Sequence, residues 1–124
     1  MNTEYHFPIS SSTATGYDVK TARDESVGSI KDLMIDTETG EVAYVVLAVD
    51  EGFLNLGKKY LALPWAAFNF NTKEADVAIV NVTKEKLEKA PGFDKDAWPV
   101  GPQHEFIEDV NTYYGFERRR AIIE

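Results

Sequence analysis

The sequence predicts a mainly β domain: a small antiparallel barrel or sandwich of five or six short strands, with one or two short helices after them. Short apolar segments separated by turn residues run from Tyr17 to Val82, which is typical of consecutive strands. Helical spacing of apolar residues appears only beyond Val82. The 124 residues are enough for one domain with a core of its own.

Five strand segments stand out along the chain. They are expected at 17–20, 27–36, 41–49, 59–63 and 76–82. The third reads EVAYVVLAV and is apolar on both faces, so it is expected to be a central strand covered from both sides. Residues 1–15 are rich in Ser and Thr without any period and are interpreted as a flexible N-terminal arm.

The second strand is expected to contain a bulge. Its core side chains are predicted to be Ile30, Leu33 and Ile35. Strict alternation cannot place 30 and 33 on one face, so an extra residue must interrupt the pairing. In the last strand, three residues are expected to share one face: Val77, Ile79 and Asn81.

Turn residues separate the strands. Gly40 can take the left-handed conformation that a short hairpin loop requires. Pro64 ends the fourth strand because it lacks a ladder donor. Asp32 and Asp36 are expected to hold turns by accepting backbone N–H groups.

Two helices are predicted near the end of the chain. Thr83 can cap a helix over 84–90, which the Pro-Gly pair at 91–92 ends. A second helix is expected over 105–114, with Gly115 at its C-terminal cap. Its apolar residues at helical spacing are Phe106, Ile107, Val110, Tyr113 and Tyr114.

Charge and composition exclude several classes of protein. The net charge is −8, which repels nucleic-acid backbones, and three arginines at 118–120 are interpreted as a solvated cluster. Nucleic acid is therefore not an expected partner. There is no cysteine, and the longest apolar run, 42–49, is far shorter than the ~20 residues that span a bilayer. The N-terminus lacks the features of a signal peptide, so a cytoplasmic protein without a membrane span is expected.

The segment GFLNLGKK at 52–59 resembles a phosphate-binding loop but fails on context. Gly52, Gly57 and Lys58 have the spacing of that motif, but the residue after Lys58 is Lys59, not a Ser or Thr. The next residues, YLALP, alternate as a strand where a helix is required. No nucleotide is expected, and the two glycines are interpreted as turn points.

The acidic and histidine residues do not form a recognisable metal or catalytic motif. If Gly40 were the sixth position of a calcium loop, the first and twelfth would be Ile35 and Val46, which cannot be ligands. His104 and Glu108 share a helix face, but two ligands do not make a closed zinc site. No catalytic residue, cofactor or metal is predicted.

Several motifs of the chain resemble those of the PRC-barrel family. They are Gly28-Ser29-Ile30, DLMID at 32–36, TGEVAYVVL at 39–47, EGFLNLG at 51–57 and Pro64-Trp65, and the stretch from Ala90 to Pro99 is similar to stand-alone members. Glu51 and Asn55 depart from the family pattern, in which glycines occupy these loop positions.

The resemblance implies a small antiparallel PRC-type β-barrel over residues 16–100, used for assembly. A C-terminal helix and tail, 101–124, would pack on the barrel or on a partner. Relatives occur in the photosynthetic reaction-centre H subunit and in a ribosome-maturation factor. The family offers no shared catalytic residues.

These observations predict a non-enzymatic protein-interaction module that self-associates as a homodimer or docks on a larger protein. Its candidate surface comprises Phe53, Leu54, Leu56, Phe106, Val110, Tyr113 and Tyr114, since apolar and aromatic residues favour interfaces. The alternative for the loop residues is a lid on their own barrel. The alternative functions are a ribosome- or RNA-processing-associated factor and an enzyme with carboxylates in the barrel mouth.

Overall fold

Seven strands and three helices make up the described part of the chain. The structure is a computed structural model that describes residues 8–50, 59–70, 72 and 74–116. The elements in chain order are α1 (Ser11–Ala14), β1 (Asp18–Thr21), β2 (Ser26–Ile35), β3 (Val42–Val49), β4 (Lys59–Leu63), a 3₁₀ turn (Trp65–Ala67), β5 (Phe68–Asn69), β6 (Val77–Val80), α2 (Lys84–Glu88), β7 (Gly92–Asp94) and α3 (His104–Tyr114).

All seven strands belong to one sheet with the order β5-β6-β1-β2-β3-β4-β7. Within the described residues, no ladder joins the two end strands, β5 and β7. The expectation of a purely antiparallel sheet is wrong, because β1 and β6 pair in parallel. The sheet also has more strands than the expected five or six, since β5 and β7 are two and three residues long and too short to show a period.

Helices are not confined to the end of the chain. The segment before β1 was expected to lack regular structure, but Ser11–Ala14 forms a helix with Ala14 fully buried. The amide of Gly16 then donates to the carbonyl of Ile30 at 2.7 Å, which fixes the chain as it enters β1. At the other end, α2 stops at Glu88, so Gly92 starts a strand and does not end a helix.

The inner core consists of apolar side chains on one face of the sheet. Its members are Val19, Val27, Ile30, Val45, Leu47, Leu61, Leu63, Ala67, Phe68, Ala78, Val80 and Leu87. Phe68 lies in β5 and Leu61 in β4, and four other strands separate β5 from β4 in the sheet order. Both side chains nevertheless belong to this cluster. The sheet therefore curls around its apolar face.

The predicted bulge in β2 is present, and it alters which side chains are buried. The pairing of β2 with β3 shifts between Ile30 and Asp32 and again between Met34 and Ile35. At the second shift the extra residue is Ala43 of β3. Ile30 is buried, while Ile35, the last residue of β2, is 50% exposed. The expectation that Ile35 is a core residue is therefore wrong.

The face of β6 was also predicted incompletely. Val77 is buried, but Ile79 is only half-buried and Asn81 is exposed. The side chains that enter the inner core are those of Ala78 and Val80, because residues of both parities in this strand are covered.

The outer core covers the opposite face of β3 and β4. Its buried residues are Tyr44, Val46, Tyr60, Ala62 and Val110. The central strand β3 thus has apolar neighbours on both faces, as its sequence predicts. Helix α3 supplies the cover, together with Phe93 and Trp98 from the segment before it. No helix in the described residues is long and apolar enough to cross a membrane.

Candidate functional site

The hairpin turn between β2 and β3 is held by side chain to backbone hydrogen bonds. The Asp36 carboxylate accepts the backbone N–H of Glu38 at 2.8 Å and that of Thr39 at 3.3 Å. The amide of Gly40, at φ +80°, donates to the carbonyl of Asp36 at 2.7 Å. The turn is therefore a fixed structure, and its hydrogen bonds hold the Asp36 carboxylate at a defined place.

A groove lies between this hairpin and the start of α3. It has a volume of about 450 Å³ and is called the hairpin groove below. Its lining residues are Met34, Ile35, Asp36, Thr37, Glu38, Ala43, Tyr44, Gly101, Pro102, Gln103, His104 and Ile107. Val100, next to this lining, is 85% exposed, so apolar surface continues beyond the groove.

Hydrogen bonds fix the wall that lies beside α3. The hydroxyl of Tyr44 donates to Oε1 of Gln103 at 2.7 Å, and the Gln103 amide donates to the carbonyl of Pro99 at 3.4 Å. Burial raises the pKa of the Tyr44 hydroxyl, so it stays a protonated donor to a higher pH than an exposed tyrosine. This arrangement joins β3 to the chain before α3, and it gives the groove a stable wall.

The ionisable residues of the hairpin groove are mainly acidic. Asp36 and Glu38 lie on the hairpin side and His104 on the helix side. Among the described residues, no lysine or arginine lines the groove. Glu105 and Glu108 follow His104 on α3 and are exposed. The groove thus combines apolar and acidic lining residues. Its apolar lining, which includes Met34, Ile35 and Ile107, is called the floor below, and its acidic lining, Asp36 and Glu38, is called the rim.

A second cavity, of about 250 Å³, lies beside α2. Arg23 and Lys84 contribute to its lining, as does Glu25. The Thr21 hydroxyl donates to the Glu25 carboxylate at 2.9 Å and accepts the backbone N–H of Arg23 at 3.2 Å. These contacts hold the turn after β1, and they supply no reactive group.

Comparison with known families matches residues 9–87 to the PRC-barrel domain. The chain belongs to this family. Comparison with curated proteins found no match. PRC-barrel domains are protein-interaction or assembly modules in general and are generally non-catalytic.

The PRC-barrel match contains only one wall of the hairpin groove. The hairpin wall lies within 9–87, whereas the wall formed by 101–107 lies after it. The segment from Ala90 to Pro99, which also resembles family members, lies outside the matched residues as well. The groove is therefore made where the PRC-barrel domain meets the C-terminal part of this chain.

The predicted surface residues of α3 contact other parts of their own chain. Val110 is fully buried in the outer core. The ring of Phe106 lies 5.3 Å from that of Tyr44, edge to face. Tyr113 donates its hydroxyl to the Lys86 carbonyl, and the Lys86 ammonium lies 4.5 Å from the Tyr113 ring centre.

Tyr114 differs from its neighbour because its hydroxyl is buried without a partner among the described residues. Burial, with a smaller contribution from Tyr113, raises the pKa of Tyr114 well above its usual range. The other predicted surface residues, Phe53, Leu54 and Leu56, lie outside the described residues, as do Gly52 and Gly57.

The remaining residues singled out by the sequence have structural contacts. At Gly28, an added Cβ would lie 2.0 Å from the Ala48 carbonyl oxygen, so the close approach of the β2 and β3 backbones requires glycine. The Asp32 carboxylate accepts the Leu33 N–H at 2.8 Å, at the bulge in β2. Pro64 is buried, and Trp65 stacks on Phe70 with ring centres 4.5 Å apart.

The described residues provide little for catalysis or metal binding. They contain no cluster of three or more His, Asp or Glu residues able to hold a metal ion. Among them, the buried polar residues are Thr21 and Asn111, and no buried carboxylate occurs. The sequence reasoning missed the hairpin groove, because Ile35, one of its lining residues, was predicted to be a core residue.

Proposed function

We propose that this protein is a non-enzymatic interaction module, acting in the cytoplasm, that docks another protein chain in its hairpin groove. In this proposal residues 16–100 form the PRC-barrel unit, whose curled sheet is the family's barrel. Residues 101–124 form a C-terminal helix and tail, of which 101–107 complete the docking surface. The observation that carries the proposal is the combination of a half-exposed Ile35 with an acidic rim in one preformed groove.

The groove has the composition expected of a small docking site. Met34, Ile35 and Ile107 offer apolar surface, whose removal from water on binding is favourable. Asp36 and Glu38 can orient a partner and exclude those with negative charge. The Tyr44–Gln103 hydrogen bond and the Asp36 turn fix both walls of the groove. Binding therefore costs little further conformational entropy in these walls.

The inner core argues against the enzyme alternative. It is filled by apolar side chains contributed by β1 to β6, the 3₁₀ turn and α2. A catalytic acid in the barrel mouth requires a carboxyl group whose pKa is raised by burial or by a neighbouring charge. The described residues place no carboxylate in a buried position, which favours the interaction module.

The surface predicted from the sequence changes in one respect. Val110 cannot contact a partner while α3 covers the outer core, so the proposal places the docking surface beside the N-terminus of α3. Phe53, Leu54 and Leu56 remain a second predicted surface. They lie in the segment that joins the opposite end of β3 to β4, so an experiment can separate the two surfaces.

Site-specific photo-crosslinking tests the proposal. A benzophenone amino acid is placed in the full chain at Thr37 in the groove, at Asn55 in the predicted loop surface, or at Glu88 on α2 as an exposed control. We expect covalent protein adducts from position 37 in cells that express the chain, and none from position 88. Adducts from position 55 alone would show that the docking surface is the loop surface and not the groove. The absence of adducts from both 37 and 55 would overturn the proposed function.

A further inference from the structure

The groove has charges and apolar groups that are complemented by a segment of the chain itself. Residues 118–123 read RRRAII, three cations followed by two large apolar side chains. The only other arginine of the chain is Arg23. A guanidinium group pairs with a carboxylate through two parallel hydrogen bonds, and Asp36 and Glu38 offer carboxylates at the rim of the groove.

We propose that the hairpin groove binds the 118–123 segment of a second copy of this chain. The arginines pair with the acidic rim, and Ile122 and Ile123 lie against the apolar floor beside Ile35. This inference rests on the proposed function, because it names the occupant of the same groove.

Helix length favours a second copy over the segment's own chain. His104 lines the groove, while Tyr113, near the other end of α3, contacts α2. The helix rises about 15 Å from His104 to Tyr114 at about 1.5 Å per residue. An extended chain covers about 3.3 Å per residue, so a return to the same groove uses about five residues beyond Phe116.

Such a return would place the three arginines along the path and bring only Ile122 and Ile123 to the groove. In a second copy, by contrast, the arginines and the isoleucines can reach the groove together. Each copy has one segment and one groove, so two copies related by a twofold axis exchange two segments and form a closed dimer.

The test uses two charge-reversed variants of the full chain. The segment variant carries Arg118→Glu, Arg119→Glu and Arg120→Glu. The groove variant carries Thr37→Lys and Glu38→Lys, which leaves the turn-forming Asp36 in place. Both groove positions are exposed, and circular dichroism melting verifies that each variant folds. Glu88→Lys on α2, an exposed site away from the groove, serves as the matched control.

Sedimentation velocity over a hundredfold range of concentration measures association. We expect wild type and Glu88→Lys to dimerise equally, and each reversed variant alone to associate at least tenfold more weakly. A one-to-one mixture of the two variants should form a heterodimer, because each segment then meets a groove of opposite charge. In the segment variant alone, the acidic segment meets only acidic grooves. In the groove variant alone, the arginine segment meets only basic grooves.

Three outcomes would overturn the inference: a monomeric wild type, dimers that survive both reversals, or a mixture that does not associate. If the 118–123 segment binds the groove of its own chain, wild type is monomeric. If wild type is monomeric while position 37 still crosslinks to a different protein, the proposed function stands and only this inference fails.

Discussion

The inner and outer cores of this protein differ in the types of side chain that they contain. The inner core is entirely apolar, with Val, Leu, Ile, Ala and one Phe as its buried members. The outer core contains two buried tyrosines, and buried polar groups of α3 lie beside it. The inner core lies within the PRC-barrel match, whereas the cover of the outer core follows it.

This difference separates folding from recognition. The strands of the matched region, β1 to β6, form most of the curled sheet, and apolar packing there determines its stability. The C-terminal part adds aromatic contacts, one hydrogen-bonded Tyr44–Gln103 pair and one buried hydroxyl without a described partner. The groove appears where the two parts meet, so family membership alone does not reveal it.

The largest expected effect comes from the inner core. Leu47→Ala removes a fully buried side chain in β3 and should lower the free energy of unfolding by about 2–5 kcal/mol. Val110→Ala removes two methyl groups from the outer core and should cost roughly 1–2 kcal/mol. Urea denaturation measures both. A larger loss for Val110→Ala would show that α3 is as important to folding as the sheet.

The next effect concerns the turn that shapes the groove. Gly40 has φ +80°, a conformation that β-branched residues strongly disfavour, so Gly40→Val should lose roughly 1–3 kcal/mol. Glu38→Ala in the same turn replaces an exposed side chain and should be near neutral. Equal melting temperatures for these two variants would contradict the positive φ at Gly40.

Two neighbouring tyrosines should respond in opposite directions. Tyr114→Phe removes a buried hydroxyl that has no partner among the described residues, so we expect a gain of about 1 kcal/mol. Tyr113→Phe removes the donor to the Lys86 carbonyl and should lose roughly 0.5–1.5 kcal/mol. Chemical denaturation of both proteins checks the signs. Destabilisation by Tyr114→Phe would show that its hydroxyl has a partner after all.

The smallest effect appears at alkaline pH. An unfolded tyrosine loses its proton near pH 10, but Tyr114 has a raised pKa when folded and keeps its proton. Above pH 10 the unfolded state therefore binds fewer protons, and the free energy of unfolding falls as pH rises. At pH 10.5 this loss is roughly 0.8 kcal/mol per such group. Tyr114→Phe should show a shallower decline than wild type, and parallel curves would contradict the raised pKa.

Much of the sheet was predictable from local pattern. The sequence places β4 at its observed bounds, identifies β3 as the central strand and locates Thr83 and Gly115 at helix caps. Each of these depends on residues close together in the chain. The bulge in β2 was predictable for the same reason, since Ile30 and Leu33 have incompatible spacing.

The errors have a common physical cause. Ile35 is exposed beside a second shift in the pairing of β2 with β3, and nothing local distinguishes one shift from two. The parallel pairing of β1 with β6 joins segments more than fifty residues apart, which periodicity does not report. The groove depends on the same shift and on the position of Gln103, so its two walls could not be brought together from the sequence.

The most direct test combines recognition and stability in one protein. Ile35→Ser is introduced into the chain that carries the crosslinking residue at position 37, and both adduct yield and melting temperature are measured. The groove interpretation predicts a yield that falls severalfold. The melting temperature should change by less than about 4 °C, because exposed substitutions alter stability by about 0.5 kcal/mol. An unchanged yield, or a melting temperature that falls as for Leu47→Ala, would show that Ile35 serves the fold and not a partner.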